Sequence, residues 1–348
     1  MTRTETPPAA ASSTRAARDP FFDNAKLVLI VLVVLGHNWY PLTDQSPVIK
    51  AAYEVVYTFH MPAFALVSGY LSTRYDGGPS QMRKLVLTVL VPYLIFETLY
   101  AWQASVLSHQ PFNLHFSSPI YVTWFLVSLF VWRLSAPLWR AVPQPVVIAF
   151  AVSLVSAITV PSNVFSLART LQMLPWFVIG MQLRPEHLER LRVIPVRIGA
   201  AVAFVVAAVL AATVGQGLDL RWFDREYTDI DLHVTMLRFV GQTALLDLAT
   251  VVLVAAALAL IPTKASWMTA LGGATMYPFL LHGLVVRFAQ HYGVHDTLAS
   301  WGPPGLAVLT LGAIGLALVL GLRPVRVLTA WAVQPADTWL RRPRLSPS

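Results

Sequence analysis

Phe22-Asp23-Asn24-Ala25-Lys26-Leu27-Val28-Leu29-Ile30-Val31-Leu32-Val33-Val34-Leu35-Gly36-His37-Asn38-Trp39 is an apolar run long enough to enter a bilayer, with a lysine near its start and a histidine near its end. Eleven helical steps of about 100° bring His37 back to nearly the face that carries Lys26. At roughly 1.5 Å per residue the two lie some 16 Å apart along the axis, more than half of a hydrocarbon core of about 30 Å. One stripe of one helix therefore holds a cation near one membrane face and a proton-exchanging imidazole deep inside. Ionisable groups in a span are costly and face protein or water, so such a stripe reads as a functional site.

The rest of the composition agrees with a membrane chain. Of 348 residues, 56% are hydrophobic and 12% charged, and the mean hydropathy is +0.61; a soluble domain carries about 25% charged residues. The net charge of +8 does not point to nucleic acid, because the basic residues sit in short loops between apolar runs. With no cysteine, disulfides, thiolate catalysis and thiolate metal sites are excluded. The first apolar run lacks a small-x-small cleavage site at its end and reads as a retained helix.

Ten runs are long enough to span: roughly 22–42, 48–71, 83–107, 119–140, 144–160, 168–184, 195–215, 235–261, 266–289 and 303–322. The expected fold is an all-α, polytopic bundle of about ten transmembrane helices. Residues 1–20 read as a disordered cytoplasmic tail, 21–323 as the membrane domain and 324–348 as a basic cytoplasmic tail. With the N-terminus inside, eighteen of the 25 Lys and Arg fall in cytoplasmic segments, against six outside. That bias predicts both termini in the cytoplasm. No internal repeat is visible. The longest external loop, about 216–234, mixes carboxylates with Trp222, Phe223 and Tyr227, which suits hydroxyl bonding and stacking on a sugar face or, more simply, a solvated loop with interfacial aromatics.

The opening stretch, together with Phe59-His60-Met61-Pro62 and Ser68-Gly69-Tyr70-Leu71, resembles the integral-membrane acyltransferase 3 family. Its branch named for fucose 4-O-acetylases is the most similar. That family shows a basic residue, ten intervening residues and a histidine in its first helix; Lys26 stands where Arg is usual, and Lys cannot make the bidentate phosphate contact that Arg makes. Weaker echoes are Arg83-Lys84 leading to Pro92-Tyr93, Trp124-Phe125-Leu126, and Tyr277 to His282. The resemblance implies transfer of an acetyl or other short acyl group from cytoplasmic acyl-CoA, acetyl-CoA first, to a hydroxyl of a carbohydrate or lipid-linked envelope acceptor. It implies a multi-pass protein of a bacterial inner or plasma membrane.

By depth, Lys26, Arg83 and Lys84 lie at the inner mouth, where the phosphates of an acyl-CoA would want cations. His37, Glu54, His60, Glu97, Asp247 and His282 lie at mid-depth or in the outer half. A hydroxyl is a poor nucleophile until its proton is taken, and His is matched to that task near neutral pH, so His37 is the expected general base. A covalent acyl-imidazole relay stays open. Glu54, Asp247 and Glu97 are rivals for orienting His37. His60 stands beside Pro62, which should kink its helix and free a carbonyl, and serves the acyl tunnel, proton transfer or a helix–helix bond. His282 is expected to face the same cavity. Ser68-Gly69 reads as close packing, since no Gly-x-Ser-x-Gly elbow surrounds it. No metal motif occurs. The expected partners are acyl-CoA, the acceptor and membrane lipid; a homo-oligomer is left open. The rival function is a proton-coupled transporter or flippase, which would need a similar polar cavity but would more often show repeat symmetry.

Overall fold

A computed structural model of the chain describes residues 19–160 and 164–336. The expected N-terminal tail up to residue 18, and the basic tail beyond residue 336, lie outside the described residues. Among the described residues no strand occurs, and helices follow the ten apolar runs in order. α1 (Pro20–Trp39) starts on Asp19, whose carboxylate accepts the Phe21 N–H at 2.9 Å. Pro20 occupies the first turn, where an N–H has no intrahelical partner to lose. A 3-10 turn, Tyr40–Leu42, leads to α2 (Pro47–Tyr70), which Ser46 caps. α3 (Pro79–Leu85) continues through a π-helical stretch, Val86–Leu90, into α4 (Val91–Ser108). α5 (Trp124–Ala141) and α6 (Pro145–Thr159) follow.

Two runs that read as single spans are each a broken pair. The sixth divides at Met173 into α7 (Leu167–Gln172) and α8 (Leu174–Gln182), because Pro175 supplies no N–H to continue the ladder. The ninth divides around Gly272 and Gly273 into α13 (Trp267–Gly272) and α14 (Met276–His291). Between these pairs lie the short α9 (Pro185–Leu191), α10 (Ile194–Thr213), the one-turn α11 (Arg221–Asp224) and α12 (Met236–Leu260). The chain closes with α15 (Val294–Ala299), α16 (Pro303–Leu320) and α17 (Arg323–Val333). The expected C-terminal tail thus begins as helix: Ala332 and Val333 are buried, and Gln334 accepts a hydrogen bond from the Tyr277 hydroxyl at 3.0 Å.

Five helical stretches are long and apolar enough to cross a membrane: Pro20–Leu42, Pro79–Ser108, Ile194–Thr213, Met236–Leu260 and Pro303–Leu320. α2 is longer than three of them, but Lys50, Glu54 and His60 dilute its hydropathy. α10 turns Val202, Val205 and Val209 outward without protein partners, as a helix facing hydrocarbon does.

α2 is the central post, packing on α1, α8, α10 and α12. Gly69 of α2 lies against the Phe177 carbonyl and Gly180 of α8 against the Leu66 carbonyl, so neither position has room for a Cβ. Gly69 therefore serves close helix packing. Pro62 lacks the N–H that would bond the Thr58 carbonyl one turn earlier. The Thr250 hydroxyl of α12 lies 2.9 Å from that carbonyl and 2.7 Å from the Leu246 carbonyl of its own helix, and shares its proton between them.

Candidate active site

α1 ends in Gly36-His37-Asn38, and His37 is half-buried there. Neither of its ring nitrogens has a hydrogen-bond partner among the described residues. Its ring centroid lies 4.4 Å from that of Tyr121 and 5.2 Å from that of His282. His282, His60 and Arg169 are the chargeable groups near enough to act on it through space.

The other two histidines are held alike. His282 has Nδ1 2.7 Å from the Pro278 carbonyl, and His60 has Nδ1 2.8 Å from the Val56 carbonyl. A carbonyl only accepts, so each Nδ1 carries the proton and each Nε2 is left with a lone pair. The His282 Nε2 is buried without a partner among the described residues. His60 packs against the Tyr57 ring at 4.6 Å, and Tyr57 stacks on Tyr53 at 3.7 Å. Residues 53, 57 and 60 recur at helical spacing along one face of α2.

Glycines adjoin both His37 and His282. A methyl group at Gly36 would collide with the Tyr57 ring, and one at Gly283 would collide with Tyr100 and Tyr121. Tyr121 belongs to the segment before α5 and holds φ at +60°, uncommon for a residue with a Cβ. Its hydroxyl is buried without a partner among the described residues. Glu97 of α4 fixes this segment: both carboxylate oxygens accept the Ile120 N–H at 3.1 Å, and one accepts the Thr123 hydroxyl at 2.6 Å. Glu97 therefore acts on the site through Tyr121. Tyr100, on the same helix, donates to the Leu280 carbonyl at 2.9 Å and ties α4 to α14.

Arg169 of α7 closes the end of the bundle that holds His37. Its guanidinium lies 4.7 Å from the Trp124 ring centroid, donates to the Asp224 carbonyl at 2.8 Å and pairs with Glu226. The 216–234 loop is thereby anchored over the end of the bundle that holds His37. Burial pushes the Asp224 carboxyl up to about 6, Arg169 opposing the shift while Glu226 and Asp219 add to it.

The sequence candidates thus divide. His37, His60 and His282 come together. Glu54 lies instead against Gly215, with Lys50 at 4.0 Å as its cation. Asp247 pairs with Arg225 at 2.8 Å. Lys26 pairs with Asp23 at 2.7 Å, and Arg83 and Lys84 are exposed on the last turn of α3. No group of three metal-ligating side chains occurs among the described residues. Tyr57, Tyr121 and Arg169 are the site neighbours that sequence reasoning missed. Only the Tyr53, Tyr57, His60 spacing signalled one of them.

Residues 19–322 match the model of an acyltransferase domain, Acyl_transf_3. Among curated proteins, the nodulation protein NolL of Sinorhizobium fredii is 48% identical over 63 residues, and that of Mesorhizobium japonicum 46% identical over 63 residues. Each match covers 16% of this chain and 16% of the relative, so the similarity spans about a sixth of the length of these proteins. No solved structure matches the chain.

Proposed function

We propose, on the premise that the chain belongs to the acyltransferase 3 family, that it is a membrane O-acyltransferase drawing an acetyl or other short acyl group from acyl-CoA. The observation that carries the reading is a half-buried imidazole, His37, with both ring nitrogens uncommitted and two further imidazoles beside it. In this reaction an acceptor hydroxyl enters beside His37, which removes its proton as the oxygen attacks the thioester carbonyl. The new C–O bond gives a tetrahedral oxyanion. Its collapse breaks the C–S bond, and the imidazolium returns the proton to the departing sulfur. The products are an O-acyl ester and free CoA thiol.

His282 is suited to orient that base. Its lone-pair Nε2 can accept from an N–H of His37, leaving the other His37 nitrogen for the acceptor. The buried Tyr121 hydroxyl is a donor within the same cluster, available to developing negative charge. On the inner side Lys26, Arg83 and Lys84 add positive charge that draws the anionic donor toward the bundle. We place ten helices across a bacterial inner membrane with both termini in the cytoplasm, which brings donor and acceptor to His37 from opposite sides. The acceptor class we favour is a carbohydrate or lipid-linked carbohydrate of the envelope, approaching beneath the 216–234 loop.

The test is release of CoA and transfer of label from acetyl-labelled acetyl-CoA by the detergent-purified chain, beside His37→Ala. Release that depends on His37 supports the reading. A folded protein that neither binds nor consumes acetyl-CoA or longer acyl-CoA donors would end it.

A further inference from the structure

Among the described residues three arginines have a carboxylate partner and the rest do not; what sets Arg133 and Arg140 apart is the turn to which both are bonded. On the side of the 216–234 loop, Arg169, Arg221 and Arg225 each have a carboxylate of their own: Glu226, Asp219 and Asp247. Arg133 and Arg140 of α5 have none among the described residues. Arg133 sits midway along α5, where an uncompensated cation is costly, yet its hydrogen bond is to a neutral hydroxyl: Nε donates to Ser72 Oγ at 3.3 Å. Arg140 lies two turns further on, and its Nη1 donates to the Thr73 carbonyl at 2.7 Å.

Ser72 and Thr73 are adjacent, with Cα atoms about 3.8 Å apart, so both arginines are bonded to one short stretch of chain. That stretch is the turn after α2. Tyr75, near enough to interact with Arg133, reaches back to Met82 at 3.8 Å, one residue before Arg83. Each bond engages a single N–H, and a guanidinium has five. Asp76, the carboxylate of this turn, accepts the Gly78 N–H at 2.9 Å and pairs with neither arginine among the described residues, so their remaining donors are without an ion pair about 18 Å along α2 from His60, counted as twelve residues of rise.

We propose that Arg133 and Arg140 form the seat for the phosphates of the acyl-CoA donor, with the thioester end directed along α2 toward His37. The inference rests on the acyl-CoA reading above and goes beyond it by naming the residues that grip the donor. Arg presents a planar fork that takes two phosphate oxygens at once, which Lys26 and Lys84 cannot do.

The experiment is titration of CoA into the purified full chain by calorimetry. The variants are Arg133→Gln, Arg140→Gln and Arg133→Lys, with Arg190→Ala, an exposed arginine on α9, as the control. Losing a charged hydrogen-bonding pair should weaken CoA binding tenfold or more in each Gln variant. Arg133→Lys should recover part of the loss, and Arg190→Ala should bind as wild type. Ser72→Ala removes the tether and keeps the guanidinium, so a purely structural Arg133 predicts that it fails like Arg133→Gln, whereas a phosphate seat predicts near wild-type binding. If Arg133→Gln does not fold, the exposed Arg140 decides. Wild-type affinity in folded Gln variants overturns the inference and leaves the donor reading standing; a wild-type chain that ignores CoA removes both.

Discussion

His37 at the end of α1 and His282 on α14 face each other with ring centroids 5.2 Å apart, and only His282 has a hydrogen bond that fixes its proton. The pair is therefore unequal. His282 is locked as an acceptor at Nε2, and His37 is free to exchange. His37→Ala should abolish transfer while leaving the protein in the membrane. His282→Phe, which keeps a ring but removes the acceptor, should lower kcat by on the order of tenfold to a hundredfold with little change in donor affinity. Measuring label transfer and CoA binding on the same preparations checks the split. Equal kcat in His282→Phe would remove the orienting role.

Gly36→Ala and Gly283→Ala test the packing that puts tyrosines against the two histidines. Either methyl displaces an aromatic ring, Tyr57 in the first case and Tyr100 with Tyr121 in the second. Overpacking of this kind costs about 1–3 kcal/mol. We expect a lower melting temperature for both variants in detergent and a larger proportional loss in turnover than in CoA binding.

Glu97→Gln keeps the shape of the side chain but weakens its hold on the Ile120 N–H and the Thr123 hydroxyl. With Tyr121 released, turnover should fall by roughly tenfold, the equivalent of about 1.4 kcal/mol. Thr123→Val should reproduce part of that loss. A Glu97→Gln enzyme with wild-type turnover would show that the Tyr121 segment does not need this clamp.

Asp224 carries a pH signature. Burial raises its carboxyl to about 6, above the ordinary value of 3.8, so the folded chain holds this proton more tightly than the unfolded chain. The stabilisation is fully present below about pH 4 and is lost as pH rises through about 6. Asp224→Asn cannot ionise. It should match wild type in thermal unfolding at pH 4 and exceed it above pH 6. A difference of the same size at both pH values would assign the effect to something other than ionisation.

What could be read from the sequence was whatever stands out against an apolar background. His37, His60 and His282 are conspicuous in hydrophobic runs, and spacing with depth was enough to group them. Depth does not give the face of the helix, however. Glu54 sits near the level of His37 but turns toward Gly215, and Asp247 is claimed by Arg225. Tyrosines are ordinary near membrane interfaces, so Tyr57 and Tyr121 do not stand out; Tyr121 is placed by its neighbour Ile120, whose N–H donates to Glu97 23 residues earlier. Arg133 and Arg140 are two of the eighteen Lys and Arg counted on the cytoplasmic side, and the sequence does not show that both are bonded to the turn after α2. The ten helical runs were legible in order, but the breaks at Met173 and after Gly272 depend on Pro175 and on paired glycines that the hydropathy average smooths over.

The bond from Thr250 to the Thr58 carbonyl sets an order of events during synthesis. The two residues are 192 positions apart. At about 5–20 residues per second, α2 must wait some 10–40 seconds after it emerges before α12 exists to serve it. Throughout that interval the carbonyl opened by Pro62 needs another donor, and in the bilayer water at the insertion machinery is the ready source. The helix that bears His60 thus gains this donor late, and a chain truncated before residue 250 leaves the Thr58 carbonyl without it.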